Sequence, residues 1–295
     1  VVRYFNLFLD RDALGDAPPA PVHNAPLLVY SHGHLGYAEA SSFLMEHFAS
    51  HGWVVAAPDH TGDTSANFAT PRDTSIYYLR PWDISHVIDH MQSLPATDPL
   101  RPLLGNRVVA AGHSFGGYTL LALAGAQYNM DAVAPTCADG TGPAEFCSSL
   151  DAGKEAIFRA GLADARIESI ITMAPGDLNL FGVDGLAHIG VPVLQMFAEH
   201  DTQGEELRAA MANRSGSYRL DIANAGHITF ADACSRGLLG ADQGCDPAYI
   251  APDEGYRIIR AYSHAFLAGG DGASRVLDGS LPVGDSAGWT VFGGP

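Results

Sequence analysis

Residues 108–118 read Val-Val-Ala-Ala-Gly-His-Ser-Phe-Gly-Gly-Tyr. The apolar run Arg107–Ala111 has the character of a strand, and Gly112-His113-Ser114-Phe115-Gly116 follows it in the pattern G-x-S-x-G. In that pattern a strand stops, the chain turns sharply, and a serine is thrust out at the tip. Such a turn strains the serine backbone and crowds its neighbours. Gly112 and Gly116 lack a Cβ, so strand and helix can approach there. Leu120, Leu121, Leu123 and Ala124 then supply a helix face able to dock on a sheet. Ser114 is therefore a candidate nucleophile.

The chain has 295 residues, 47% of them hydrophobic, which suffices for one large core and suggests a single domain over 1–295. Charged residues make up 17%, and there is no low-complexity tract, which argues against extended disorder. The formal net charge is −17 with no basic patch, so a nucleic-acid partner is not expected. Nor does any apolar run reach the length of a membrane span. Four cysteines fall into two close pairs, Cys137 with Cys147 and Cys234 with Cys245, without metal-ligand spacing. Two local disulfides are expected, and with them an exported protein. The sequence starts at Val1, which is compatible with a trimmed form that has lost a signal peptide.

Short apolar runs alternate with helix-like stretches. Leu27–Tyr30, Trp53–Ala57, Arg107–Ala111, Ser169–Met173, Val193–Phe197 and Tyr218–Ile222 read as strands. Ser41–Ser50, Pro81–Leu94, 204–212 and 253–268 read as helices, with Pro81 as the opening residue of the second. This alternation signals an α/β fold, a mostly parallel sheet with helices on both faces, whose sites lie at the carboxyl ends of the strands. Residues 131–166 interrupt the alternation and read as an excursion beside the site. Residues 269–295, rich in Gly, Ser and Asp, read as a loose surface tail.

A serine hydroxyl needs a base to take its proton, and the base needs an acid to orient it. Chain order in this architecture is Ser, then Asp or Glu, then His. His227, in Asn224-Ala225-Gly226-His227 after the last strand, is the favoured base over His188 and His200. His264 reads as structural. Asp201, after Val193–Phe197, is the favoured acid; Asp177 and Glu199 are the alternatives. The second requirement is a pair of backbone N–H groups for the developing oxyanion. Phe115 and His34 are the expected donors, with Gly33 permitting the turn and His32 acting as scaffold. Asp83, His86 and His90 share a helix face, but Val87 stands where a zinc-protease pattern needs Glu, so no metal is expected there. Nothing in this constellation calls for a cofactor.

With these residues in place the chain resembles the α/β-hydrolase superfamily, and within it exported dienelactone-hydrolase-like, platelet-activating-factor-acetylhydrolase-like and cutinase-like esterases. The resemblance rests on six stretches, running from Pro26 to Cys234. They are Pro26–Gly33, Ala57–His60, Arg80-Pro81 with Asp83, Gly112–Gly117, Val191–Leu194 through Asp201, and Ala225–Phe230 with Cys234. It implies serine esterase chemistry on small to medium acyl esters, with phospholipid deacylation or polyester hydrolysis as alternatives. It also implies secretion or a periplasmic location. The acetylhydrolases take their acid from the region of Asp177, and cutinase-like enzymes from that of Asp201. In the latter an aromatic residue follows Ala-Pro; here Gly176 follows Ala174-Pro175, which weakens an aromatic polyester specificity. A non-catalytic binding protein on this scaffold is the rival of a different class.

Overall fold

The computed structural model describes residues 13, 17–69, 71–201, 204–212, 214–234, 245–269, 271–284 and 287–292. In chain order the elements are β1 (Ala25–Ser31), α1 (Ser42–Ser50), β2 (Val54–Ala56), β3 (Asp63–Thr64), β4 (Asn67–Phe68), α2 (Ile76–Gln92), β5 (Leu104–His113) and α3 (Phe115–Leu123). Then follow α4 (Met130–Asp139), α5 (Ala144–Cys147), α6 (Ala152–Ala160), β6 (Ile167–Met173), α7 (Gly182–Leu186), β7 (Val193–Ala198), α8 (Glu205–Met211) and β8 (Ser217–Ile222). The last three are α9 (Pro252–Ala268), α10 (Asp271–Leu277) and β9 (Ala287–Phe292). One sheet has the order β2-β1-β5-β6-β7-β8-β9, with its first six strands parallel and β9 antiparallel to β8.

Alternation along the strands explains why helices cover both faces. Leu27 and Val29 of β1, Val108 and Ala110 of β5, and Ile170 of β6 join Ile84, Ile88, Leu120 and Leu121 of α2 and α3 in one core. Their neighbours Leu28, Tyr30, Val109, Ala111 and Ile171 point the other way, toward Phe43, Leu44 and Phe48 of α1 and Ile258, Ile259 and Tyr262 of α9. A side-chain period of two, buried on both sides, makes the near-continuous apolar runs that parallel sheets require. Register then lines up the carboxyl ends, with Ser31 opposite Gly112 and Gly112 opposite Thr172. The next residue but one after Gly112 is Ser114.

Two expectations need correction. Pro81 does not open α2; the helix starts at Ile76 and carries Pro81 inside it. A proline there has no N–H for the carbonyl four residues back, which is Tyr77. The Tyr118 hydroxyl donates to that carbonyl instead, at 2.9 Å, so the helix continues without an orphaned acceptor. The 269–295 tail is also more ordered than its composition suggests. It contains α10, and β9 pairs along β8 from Ser217↔Phe292 to Ile222↔Ala287. A bare β8 edge would expose unpaired backbone groups, and Trp289-Thr290-Val291-Phe292 has the residue types that suit a strand.

Segment 131–166 carries α4, α5 and α6. Asp151 caps α6 by accepting from the Lys154 N–H. Phe146 and Phe158 anchor the segment in the core shared with Tyr77 and Tyr128. A Cys137–Cys147 disulfide ties α4 to α5, and a Cys234–Cys245 disulfide closes the second pair. No helix among the described residues is long and apolar enough to cross a membrane.

Candidate active site

Ser114 sits between β5 and α3 with φ 55° and ψ −120°, a conformation that L residues rarely adopt. Its N–H donates to the Met173 carbonyl at 2.8 Å, and its own carbonyl accepts from Gly176 N–H at 3.3 Å. The surrounding chain is tight enough to demand glycine. A Cβ on Gly116 would fall 1.9 Å from the Ser31 carbonyl oxygen, and one on Gly112 would fall 2.6 Å from the Gly116 carbonyl carbon.

His227 opens a short 3₁₀ turn, His227–Phe230, beyond β8. Gly226 N–H donates to Thr229 Oγ1 at 3.0 Å, and Thr229 N–H returns to the Gly226 carbonyl at 3.0 Å. From the opposite side His113 Nε2–H donates to the His227 carbonyl at 2.8 Å. Burial, with His227 close by, holds His113 down to about 3, so its ring is neutral and free to donate. The turn so braced brings the His227 ring to Ser114, with Nε2 2.9 Å from Oγ. Its Nδ1–H donates to Asp201 Oδ2 at 2.5 Å. That bond leaves the Nε2 lone pair facing the serine hydroxyl.

The structure thus brings Ser114, His227 and Asp201 together and sets the other acids apart. Glu199 accepts from Asn224 N–H at 2.8 Å, so it braces the loop leading to His227. Asp177 has a left-handed backbone, φ 53°, and lies 3.6 Å from the Arg72 guanidinium. Burial raises its carboxyl above the usual range, against the pull of Arg72. His200 packs on Tyr249, and His188 bonds the Asp184 carbonyl on the surface.

His34 and Phe115 also lie side by side, their rings edge to face with centroids 6.5 Å apart. A Cβ on Gly33 would sit 3.2 Å from the Ser114 Cβ, so this loop runs past the serine. Neighbouring amides are committed: Leu35 N–H to Asp63 at 3.3 Å and Gly36 N–H to the Gly33 carbonyl at 3.1 Å. As the first residue of α3, Phe115 has no carbonyl within the helix for its N–H.

Beneath the loop is a buried polar assembly, only fragments of which are legible in the sequence. Arg80 is fully buried and donates to Asp63 Oδ2 at 2.5 Å, to Ser31 Oγ at 3.2 Å, to Thr119 Oγ1 at 3.2 Å and to the His32 carbonyl. Asp63 in turn accepts from the His34 ring. His32 donates to the Gly33 carbonyl at 2.7 Å and accepts from His60 N–H at 3.1 Å, which is the scaffold role expected of it. His60 spans Ser31 and Asp83, at 2.9 Å each. That contact gives the Asp83 carboxylate a partner, and burial pushes its carboxyl up to about 6. One signal could have revealed Arg80: it shares the apolar face of α2 with Ile76, Tyr77 and Ile84, where a cation needs a buried acid.

Beside the Ser114, His227 and Asp201 group lies a second charged group. The Arg72 guanidinium rests 4.2 Å over the Phe115 ring and pairs with Glu145 of α5 as well as Asp177. This couples the 131–166 segment to the residue following Ser114.

Comparison with known proteins agrees with this architecture. The sequence profile of the family described as platelet-activating factor acetylhydrolase, isoform II, matches residues 9–76, a stretch that includes β1, the His34 loop and β3. No curated protein matches the chain. Among solved structures it is similar to a ferulic acid esterase from Streptomyces cinnamoneus, with a TM-score of 0.55 and 22% identity. That likeness covers 86% of this chain and 69% of the esterase chain. Sheet order and structural likeness agree on an α/β-hydrolase fold.

Proposed function

We propose that the protein is a serine carboxylic-ester hydrolase using Ser114 as nucleophile, His227 as base and Asp201 as the orienting acid. The continuous hydrogen-bonded path from Ser114 Oγ through the His227 ring to Asp201 carries the reading. Ser114 Oγ attacks the ester carbonyl carbon while His227 Nε2 takes its proton. The carbonyl oxygen becomes an oxyanion facing the N–H groups of His34 and Phe115, at the positive end of α3. Collapse breaks the bond to the alcohol, which leaves with the proton from His227. Water then attacks the acyl-enzyme, with His227 again as base, and releases the carboxylic acid. Nucleophile, base and electrostatics all come from side chains and backbone, so this route uses no cofactor.

The substrates are taken to be small to medium acyl esters, with the 131–166 helices flanking the site. Leu35 and Phe68, exposed on the loop and hairpin beside it, favour apolar groups at the rim. A second reading, release of a short acyl group from a phospholipid, draws on the acetylhydrolase profile over 9–76. The two disulfides support an exported enzyme. A chain-length series of nitrophenyl esters, run beside a short-acyl phospholipid and a polyester film, separates these substrates. Hydrolysis of any of them should vanish in Ser114→Ala. An active Ser114→Ala protein would end the proposal, as would a wild-type protein inert toward every ester.

A further inference from the structure

α1 and α9 lie side by side and run in the same direction. Phe43 stacks on Tyr256 with ring centroids 4.0 Å apart, and Arg260 Nε donates to the Phe43 carbonyl at 3.2 Å. Farther along the same pair, three imidazoles converge. His47 Nε2 is 3.2 Å from His264 Nδ1, and the His51 ring lies 4.4 Å from that of His47 and 4.6 Å from that of His264. One nitrogen from each ring can be chosen so that all three lie within 4.8 Å of one another. The cluster is where α1 gives way to β2, at the amino end of the sheet. Ser114 is at the carboxyl end, and the proposed chemistry uses none of these histidines.

We infer that His47, His51 and His264 form a site for a first-row divalent transition cation, with three imidazole ligands and a fourth position for water. A metal about 2.0–2.1 Å from each nitrogen, in tetrahedral geometry, sets the nitrogens roughly 3.4 Å apart. The His47–His264 separation of 3.2 Å already meets that edge, and modest side-chain rotation closes the others. His47 and His51 stand four residues apart across the end of α1, the spacing by which one helix face presents two imidazoles to zinc. Hydrogen bonding also fixes the right tautomer. His51 Nδ1–H donates to the His47 carbonyl at 2.7 Å, leaving its Nε2 with a lone pair, as metal-binding histidines usually are arranged. Phe48 packs against the group, parallel to His264 and edge-on to His47. His51 is exposed, so a cation has a way in. An all-imidazole set suits zinc, copper or nickel and not the hard cations magnesium and calcium. Bound there, the metal would clasp α1 to α9.

Calorimetric titration of the chelator-stripped full chain with zinc sulphate, beside magnesium sulphate, tests this. One zinc per chain is expected, with a raised Tm and no response to magnesium. His51→Ala, a change at an exposed position, should weaken zinc binding at least about tenfold and abolish the Tm rise. The double change His86→Ala with His90→Ala, at the other paired histidines, should leave binding intact. Ser114→Ala should bind zinc like the wild type, which separates this site from the esterase reading. Undiminished zinc binding in His51→Ala, or no binding by the wild type at about 1 mM zinc, would overturn the inference.

Discussion

At the scale of single residues, the proposed chemistry turns on which carboxylate serves His227. Asp201 accepts its Nδ1–H at 2.5 Å with a side chain only 10% exposed, whereas Asp177 faces Arg72. Asp201→Asn should therefore lower kcat by about 10⁴-fold through loss of the productive tautomer. Asp177→Asn should stay within roughly tenfold of wild type on the same nitrophenyl ester, since it touches neither Ser114 nor His227. The reverse ranking would reassign the acid. His113 is a positioning residue: His113→Phe removes the donor to the His227 carbonyl, so kcat should fall with KM little changed. Sequence alone named the three side chains that meet, because each follows a strand in the order this architecture demands. It left Asp177 open because both aspartates end strands, and only packing shows Arg72 drawing one of them away. His113 escaped notice because its donor role depends on a carbonyl 114 residues distant.

Elements succeed or fail by what their backbones can satisfy. The βα alternation was legible because each strand is a short apolar run ended by glycine, proline or a polar residue. Pro81 misled because proline is a common opening residue, and only the Tyr118 hydroxyl, donated to the Tyr77 carbonyl 41 residues away, makes an internal proline tolerable. Likewise β9 was hidden by its Gly- and Ser-rich approach, although Trp289–Phe292 itself suits a strand. Close approach of β5 and α3 yields a sharp expectation. Gly116→Ala places a methyl 1.9 Å from the Ser31 carbonyl, so the turn must deform and ester hydrolysis should be lost along with several degrees of Tm. Arg80→Met leaves Asp63 buried with its main counter-charge gone. Denaturant unfolding should show a loss of about 3–5 kcal/mol, the typical cost of half-breaking a buried pair. A loss below about 1 kcal/mol would mean that the Arg80 network contributes little to stability.

For the whole molecule, buried histidines set the acid limit. His32 and His113 are held down to about 3 and His60 well below 6.5, in each case chiefly by burial. Unfolded, each takes up its proton near 6.5, so between about 3 and 6.5 the unfolded chain binds more protons. Stability therefore rises with pH through that window and is full above it. Asp83, raised by burial from 3.8 to about 6, works the other way and offsets one histidine between those values. Calorimetry should give a Tm that is level above about pH 7 and falls steadily below about 6.5. A Tm flat down to pH 4 would contradict this balance. Beyond stability, the sheet order, the strained serine and the braced histidine loop all converge on the Ser114 hydroxyl, the proposed nucleophile. Peptide mapping by mass spectrometry after exposure to a fluorophosphonate tests that convergence directly. A single adduct on Ser114 that disappears in His227→Ala is expected; an unlabelled Ser114 in folded wild-type protein, or an adduct on another serine, would rule out Ser114 as the nucleophile.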